Sequence, residues 1–125
     1  MAIISYMGDG MFMYDELLSI EAKFDLFNET IKRVKEYFLS WKEELPNDFY
    51  TFISENNIQM DTDSNLKNVV FRPFKIGYEI RVAQENIIVI SVVLDIFVEN
   101  NDSPICSYYC YYDKEGTMID NFIDC

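Results

Sequence analysis

The residues with types and spacings suited to chemistry begin with Asp61-x-Asp63-x-Asn65, which opens like a calcium-binding EF-hand loop. Such a loop needs Gly at its sixth position for the sharp turn and a bidentate Glu at its twelfth. Here those positions hold Leu66 and Arg72, so the stretch reads as a solvated linker. Gly8-Asp9-Gly10 lacks the Gly-Lys-Ser/Thr ending of a phosphate loop and reads as a turn. Asp95 is a carboxylate inside the apolar run from Ile87 to Val98. A part-buried carboxylate could serve as a general acid, but no base, nucleophile or oxyanion donor accompanies it. Asp95 is therefore expected on the less covered face of its strand, near Arg81 or a Tyr hydroxyl. The chain has no His, which removes His-based triads, His–Cys dyads and His metal sites together. These residues point to no catalytic group, no metal and no cofactor, and the chain reads as a non-enzyme.

The cysteines are Cys106, Cys110 and Cys125. An odd count argues against a disulfide framework. Cys106 and Cys110, four apart on a strand, would lie about 13 Å from each other, beyond the roughly 7 Å reach of a disulfide. No pair has CxxC spacing. The expectation is reduced, partly buried thiols in a cytoplasmic protein. Around them sit Tyr108, Tyr109, Tyr111 and Tyr112. Alternation places Tyr108 and Tyr112 on the Cys106/Cys110 face and Tyr109 and Tyr111 on the other. One face packs the core. The other either covers the sheet or anchors a protein interface, a role that suits a large rigid ring tipped by a hydroxyl.

Charge gives the broadest constraint. The 125 residues include 22 acids and 10 bases, a net charge of −12. A bare nucleic-acid binder would need a basic footprint instead. From Val82 to Cys125 the acids are Glu85, Asp95, Glu99, Asp102, Asp113, Glu115, Asp120 and Asp124, against the single base Lys114. This distribution serves solubility, or it forms a negative field that steers a basic partner. The partner-binding candidates are Glu99, Asp102, Tyr109, Tyr111, Asp113, Glu115 and Asp120. Carboxylates beside exposed tyrosines would suit a surface that covers a cationic cleft.

The elements that must position these residues follow from periodicity. Residues 1–13 read as a short strand or a flexible arm, with no signal-peptide pattern. Residues 15–56 are helical. Ile31, Val34, Phe38, Trp41 and Leu45 recur at spacings of three and four, which puts them on one helix face. A break is expected near Asp25 to Asn28, with Asn28 as N-cap. Glu29/Arg33 and Lys32/Glu36 are i,i+4 pairs. Pro46 ends the first helix and opens a second over Pro46 to Glu55, which Asn56-Asn57 stops. Residues 67–125 switch to a period of two. One strand starts at Val69–Phe71, another runs through Tyr78 to Val82, and Gln84-Glu85-Asn86 turns into Ile88–Val98. A strand over Ile105 to Tyr112 follows. Asp113-Lys114-Glu115-Gly116 is a turn with Gly at a positive φ. Thr117 to Ile123 closes as a strand or short helix. The fold class is α+β in one domain: N-terminal helices packed on an antiparallel meander of four to five strands, with the helix stripe on the even-numbered face of Ile88–Val98. No segment is long and apolar enough to span a bilayer as a helix.

The stretch Tyr111-Tyr112-Asp113-Lys114-Glu115-Gly116-Thr117-Met118-Ile119-Asp120 resembles the ending of small acidic bacterial immunity proteins, which protect cells from polymorphic or contact-dependent toxins. The resemblance covers these ten residues together with the size and acidity of the chain, and it assigns no individual binding residue. It implies stoichiometric inhibition of a cognate toxin domain. Combined with the charge pattern, the leading expectation is an antitoxin for a nuclease-like toxin with a basic cleft, acting by acidic and aromatic occlusion. One alternative is a phage or mobile-element protein that mimics nucleic acid to block a defence nuclease. Another is a small-ligand-binding α+β domain or an accessory subunit. The expected partner is a basic protein, with no direct nucleic-acid or membrane binding. A Tyr-rich edge strand would additionally allow a homodimer.

Overall fold

A computed structural model describes residues 25–61, 65–85 and 87–125. The segment read as a strand or arm over residues 1–13, and the first part of the helical stretch, lie outside these residues. Helix α1 spans Leu26–Glu44 and α2 spans Pro46–Glu55. Strands β1 (Val69–Arg81), β2 (Ile87–Val98), β3 (Cys106–Tyr112) and β4 (Met118–Asp124) follow. They form one antiparallel sheet in the order β1-β2-β3-β4. The architecture is the expected α+β arrangement.

Helix α1 begins within the Asp25–Asn28 stretch where a break was expected, but Asp25 rather than Asn28 precedes it. Asp25 has left-handed backbone (φ 50°), and its carboxylate accepts from Asn28 Nδ2 at 3.0 and 2.9 Å. Asn28 thus lies inside the first turn. The stripe on α1 buries Val34 and Phe38 and half-buries Ile31 and Trp41. Leu45 sits between the helices and is 54% exposed, because Pro46 turns the chain there. Pro at the first position of α2 loses no hydrogen bond that the helix would otherwise make. Asn57, with φ 55°, ends that helix in the conformation Asn tolerates.

Both helices pack on one sheet face. Leu26, Val34, Phe38, Phe49 and Phe52 join Ile90, Val92, Leu94, Ile96 and Val98 of β2 in one core. Phe38 sits at its centre, 6.0–6.5 Å from the rings of Trp41, Phe49, Phe52 and Phe71. Each such buried ring contributes about 1.5–3 kcal/mol. Tyr108 and Tyr112 of β3 also enter this core with no exposed surface. Tyr112 donates to Thr30 Oγ1 at 2.7 Å, and Thr30 in turn donates to the Leu26 carbonyl at 2.6 Å. Asn121 of β4 donates to the Tyr108 hydroxyl at 2.6 Å. Buried phenols need such partners, and here they lock the helix and the last strand onto β3.

Several expectations are corrected. The stretches at Val69–Phe71 and Tyr78–Arg81 are one strand, not two. A bulge between Pro73 and Lys75 inserts Phe74, which has no ladder partner. It leaves Phe74 61% exposed and resets the alternation, so odd residues before it and even residues after it face the same core. Val82 leaves the strand for a single 3₁₀ turn, Val82–Gln84, and Glu85 takes φ 60°. The Tyr-rich strand β3 is not an edge: it pairs with β2 on one side and β4 on the other. The cysteines are not all reduced. Cys106 and Cys125 form a disulfide, and Cys110 remains a buried free thiol. The partner of Cys106 comes across the hairpin rather than along the strand: with Ser107 opposite Asp124, the next pair outward is Cys106 and Cys125. Reduced thiols were one support for a cytoplasmic location, and the disulfide removes it. No helix among the described residues is long and apolar enough to cross a membrane.

Candidate protein-binding surface

The alternation that sends even residues of β2 into the core sends Ile87, Val89, Ser91, Val93, Asp95 and Phe97 to the opposite face. Among the described residues, neither helix covers that face. Register defines its rows. Across the sheet from β1 to β4, one row reads Arg72, Asp95, Ser107, Asp124. The next reads Lys75, Val93, Tyr109, Phe122, and the next Gly77, Ser91, Tyr111, Asp120.

An aromatic cluster occupies the β3–β4 half. Tyr109 and Phe122 stack with centroids 4.6 Å apart and planes 10° apart, and Tyr111 lies 6.2 Å from Phe122. Phe122 is 42% exposed, and both tyrosines are half-buried. Arg81 crosses the sheet to place its guanidinium 5.7 Å from the Tyr111 ring. By register this path runs over Val89, which is fully buried although it belongs to the outer face. Glu79 holds Arg81 in that pose through contacts of 2.8 and 2.9 Å. Burial pushes the Tyr111 phenol pKa up, and the nearby Glu79 carboxylate adds to the shift. Tyr111 therefore stays neutral and offers a hydroxyl donor at physiological pH. Gly77, opposite Ser91, contributes no side chain to the row that holds Tyr111, and the Ser91 hydroxyl lies 3.4 Å from where a Cβ would stand.

Charge is divided across the face. Arg72 and Lys75 are exposed on the β1 side, with the Arg72 guanidinium 4.9 Å from the Phe97 ring. Asp120 and Asp124 are exposed on the β4 side. Asp95 lies on this less covered face as expected, but its carboxylate accepts from Ser107 Oγ at 3.0 Å rather than from a tyrosine, and its register partner is Arg72 rather than Arg81.

The structure gathers only part of the predicted set. Tyr109, Tyr111 and Asp120 meet on the outer face. Glu99 and Asp102 lie in the β2–β3 loop at one end of the sheet, and Asp113 and Glu115 in the β3–β4 turn at the other. These ends are separated by the seven residues of β3, about 20 Å. Asp113 also builds its turn: its carboxylate accepts the backbone N–H of Glu115 (2.8 Å) and Thr117 (3.0 Å), while Gly116 takes φ 80°. Phe122, Asp124 and Arg81 belong to the surface, with the buried Glu79 holding Arg81, and were not foreseen. A settled β3–β4 register would have found Phe122 and Asp124.

A cleft of about 170 Å³ opens beside α1, lined by Lys35, Phe38, Phe49, Leu66 and Phe71 among others. It is smaller than the roughly 300–1,000 Å³ of ligand pockets, whereas a more open hollow of about 430 Å³ beside Tyr37, Trp41, Leu45 and Ile123 falls within that range. Compared with family models, curated proteins and solved structures, the chain shows no significant match.

Proposed function

We propose that the chain is an inhibitory binding protein of the immunity (antitoxin) class. In this reading it neutralises a cognate bacterial toxin domain by covering a basic cleft with the β3–β4 half of its outer sheet face. The observation that supports it is the half-exposed stack of Tyr109, Phe122 and Tyr111, flanked by Asp120 and Asp124 on a face that neither helix covers. Rings held rigid by stacking lose little conformational freedom on binding, and hot spots favour Tyr and Arg. The carboxylates beside them steer a cationic partner and set its register. Glu115 sits at the Asp120 end and extends the acidic rim. Glu99 and Asp102 sit at the other end, where they contribute to the field but not to the aromatic contact.

The test is a tagged pull-down from host lysate, eluted by a salt gradient and read by mass spectrometry. It is run in parallel with Tyr109→Ala/Phe122→Ala bait. The reading expects a basic protein, captured stoichiometrically by the native chain, released by moderate salt and absent from the variant lane. Equal capture by both baits would move the interface off this face.

A further inference from the structure

The outer face is complementary to itself, and we propose that it docks a second copy of this chain. A two-fold axis lying between two such faces and parallel to the strands leaves position along the strands unchanged and exchanges left for right. It therefore sets β1 of one copy over β4 of the other, row against row. Arg72 then meets the partner copy's position 124, an aspartate, and the reverse contact forms by symmetry. Lys75 falls over Phe122, between the rows of Asp120 and Asp124. At the centre, Tyr109 falls over the row of the other copy's Val93, which is already buried within its own chain, so the charged flanks rather than the centre carry the contact. An axis perpendicular to the strands would instead oppose Arg72 and Lys75 to like charges, so the charge pattern selects one of the two symmetric arrangements.

Sheets packed face to face align within about 30° and sit roughly 10 Å apart, which these side chains fill. Pairing through the β1 edge is less favoured. The β1 edge carries Pro73 and the bulge at Phe74, both of which interrupt a further ladder. The sheet's four strands at about 4.8 Å spacing and its roughly 20 Å length give a flat footprint of roughly 400 Å². That is below the roughly 800 Å² per partner of standard interfaces. The dimer is therefore weak, with a Kd in the micromolar range, roughly 1–100 µM.

Sedimentation of the full chain from about 1 to 500 µM tests this, with Arg72→Asp, Asp124→Arg and the two combined. The expected result is a concentration-dependent dimer. Each single change should weaken it about tenfold or more, and the combination should restore it to within about threefold, because the exchanged charges face each other again. Circular dichroism checks that the variants fold. Should Arg72→Asp fail to fold beside Asp95, Lys75→Glu takes its place in the single-variant comparison. A chain that is monomeric at every concentration overturns the proposal. So does a dimer indifferent to the single changes, which would place the contact at an edge, or one that the combined exchange does not restore. None of these results depends on whether a toxin is ever captured, so failure here leaves the proposed function standing.

Discussion

Replacing Thr30 with Val removes the hydroxyl that joins α1 to the sheet. Tyr112 has no exposed surface and donates to that hydroxyl at 2.7 Å. The variant strands a buried phenol, at a cost of about 1–3 kcal/mol. Tyr112→Phe removes the other half of the pair. Thr30 still donates to the Leu26 carbonyl, so this loss is smaller, about 0.5–1.5 kcal/mol. With both changes no stranded group remains. The double variant should then be less destabilised than the sum of the singles by about 1 kcal/mol. Urea unfolding of the four proteins, followed by far-UV circular dichroism, measures this coupling directly. Additivity within about 0.3 kcal/mol would refute the claim that this hydrogen bond docks the helix on β3.

Alkaline pH should unfold the protein. Burial raises the pKa of the Tyr108 and Tyr112 phenols well above the ordinary value near 10, and that of the Cys110 thiol above its own. The folded state favours their neutral forms, so this stabilisation is complete below about pH 9 and is lost as pH rises through 10 and beyond. The two phenols together give a slope of roughly 2.7 kcal/mol per pH unit. Tyrosinate absorbance should show two phenols ionising only as the chain unfolds, and their reversible titration near pH 10 in a folded chain would contradict this. Cys125→Ser opens a disulfide spanning 19 residues and should cost roughly 3 kcal/mol. Hydrogen exchange should then speed up first in β4, which among the described residues has only one strand neighbour.

Much of the fold is legible in the sequence because local signals and tertiary packing agree. Pro46 and Asn57 bound α2 by backbone chemistry alone, and Gly116 marks a turn that demands a positive φ. The alternation from Ile88 to Val98 and from Cys106 to Tyr112 assigns both faces of the central strands. The surface was harder to read because two bulges control it. Uninterrupted pairing from the β3–β4 turn, with Tyr112 opposite Met118, would set Phe122 against Tyr108 on the core face. The bulge between the Tyr111 and Tyr112 pairs moves Phe122 opposite Tyr109 and out of the core. The bulge at Phe74 likewise hid the continuity of β1. The disulfide was missed for a related reason: Cys106 and Cys125 become neighbours only through cross-strand register, which cysteine spacing does not encode. The acidic candidates were chosen by charge, and all but Asp120 scattered to the two ends of the sheet, whereas the tyrosines were chosen by alternation and came together.

The measurement that bears most directly on the account is a titration of the captured partner's own activity with the native chain. It is combined with hydrogen exchange of the complex. The account predicts loss of activity at one-to-one stoichiometry, with new protection confined to the outer-face strands around Tyr109, Tyr111 and Phe122. The Phe122→Ala variant should require a large excess. Activity that persists at saturation, or protection that falls on α1 and α2 instead, would contradict it.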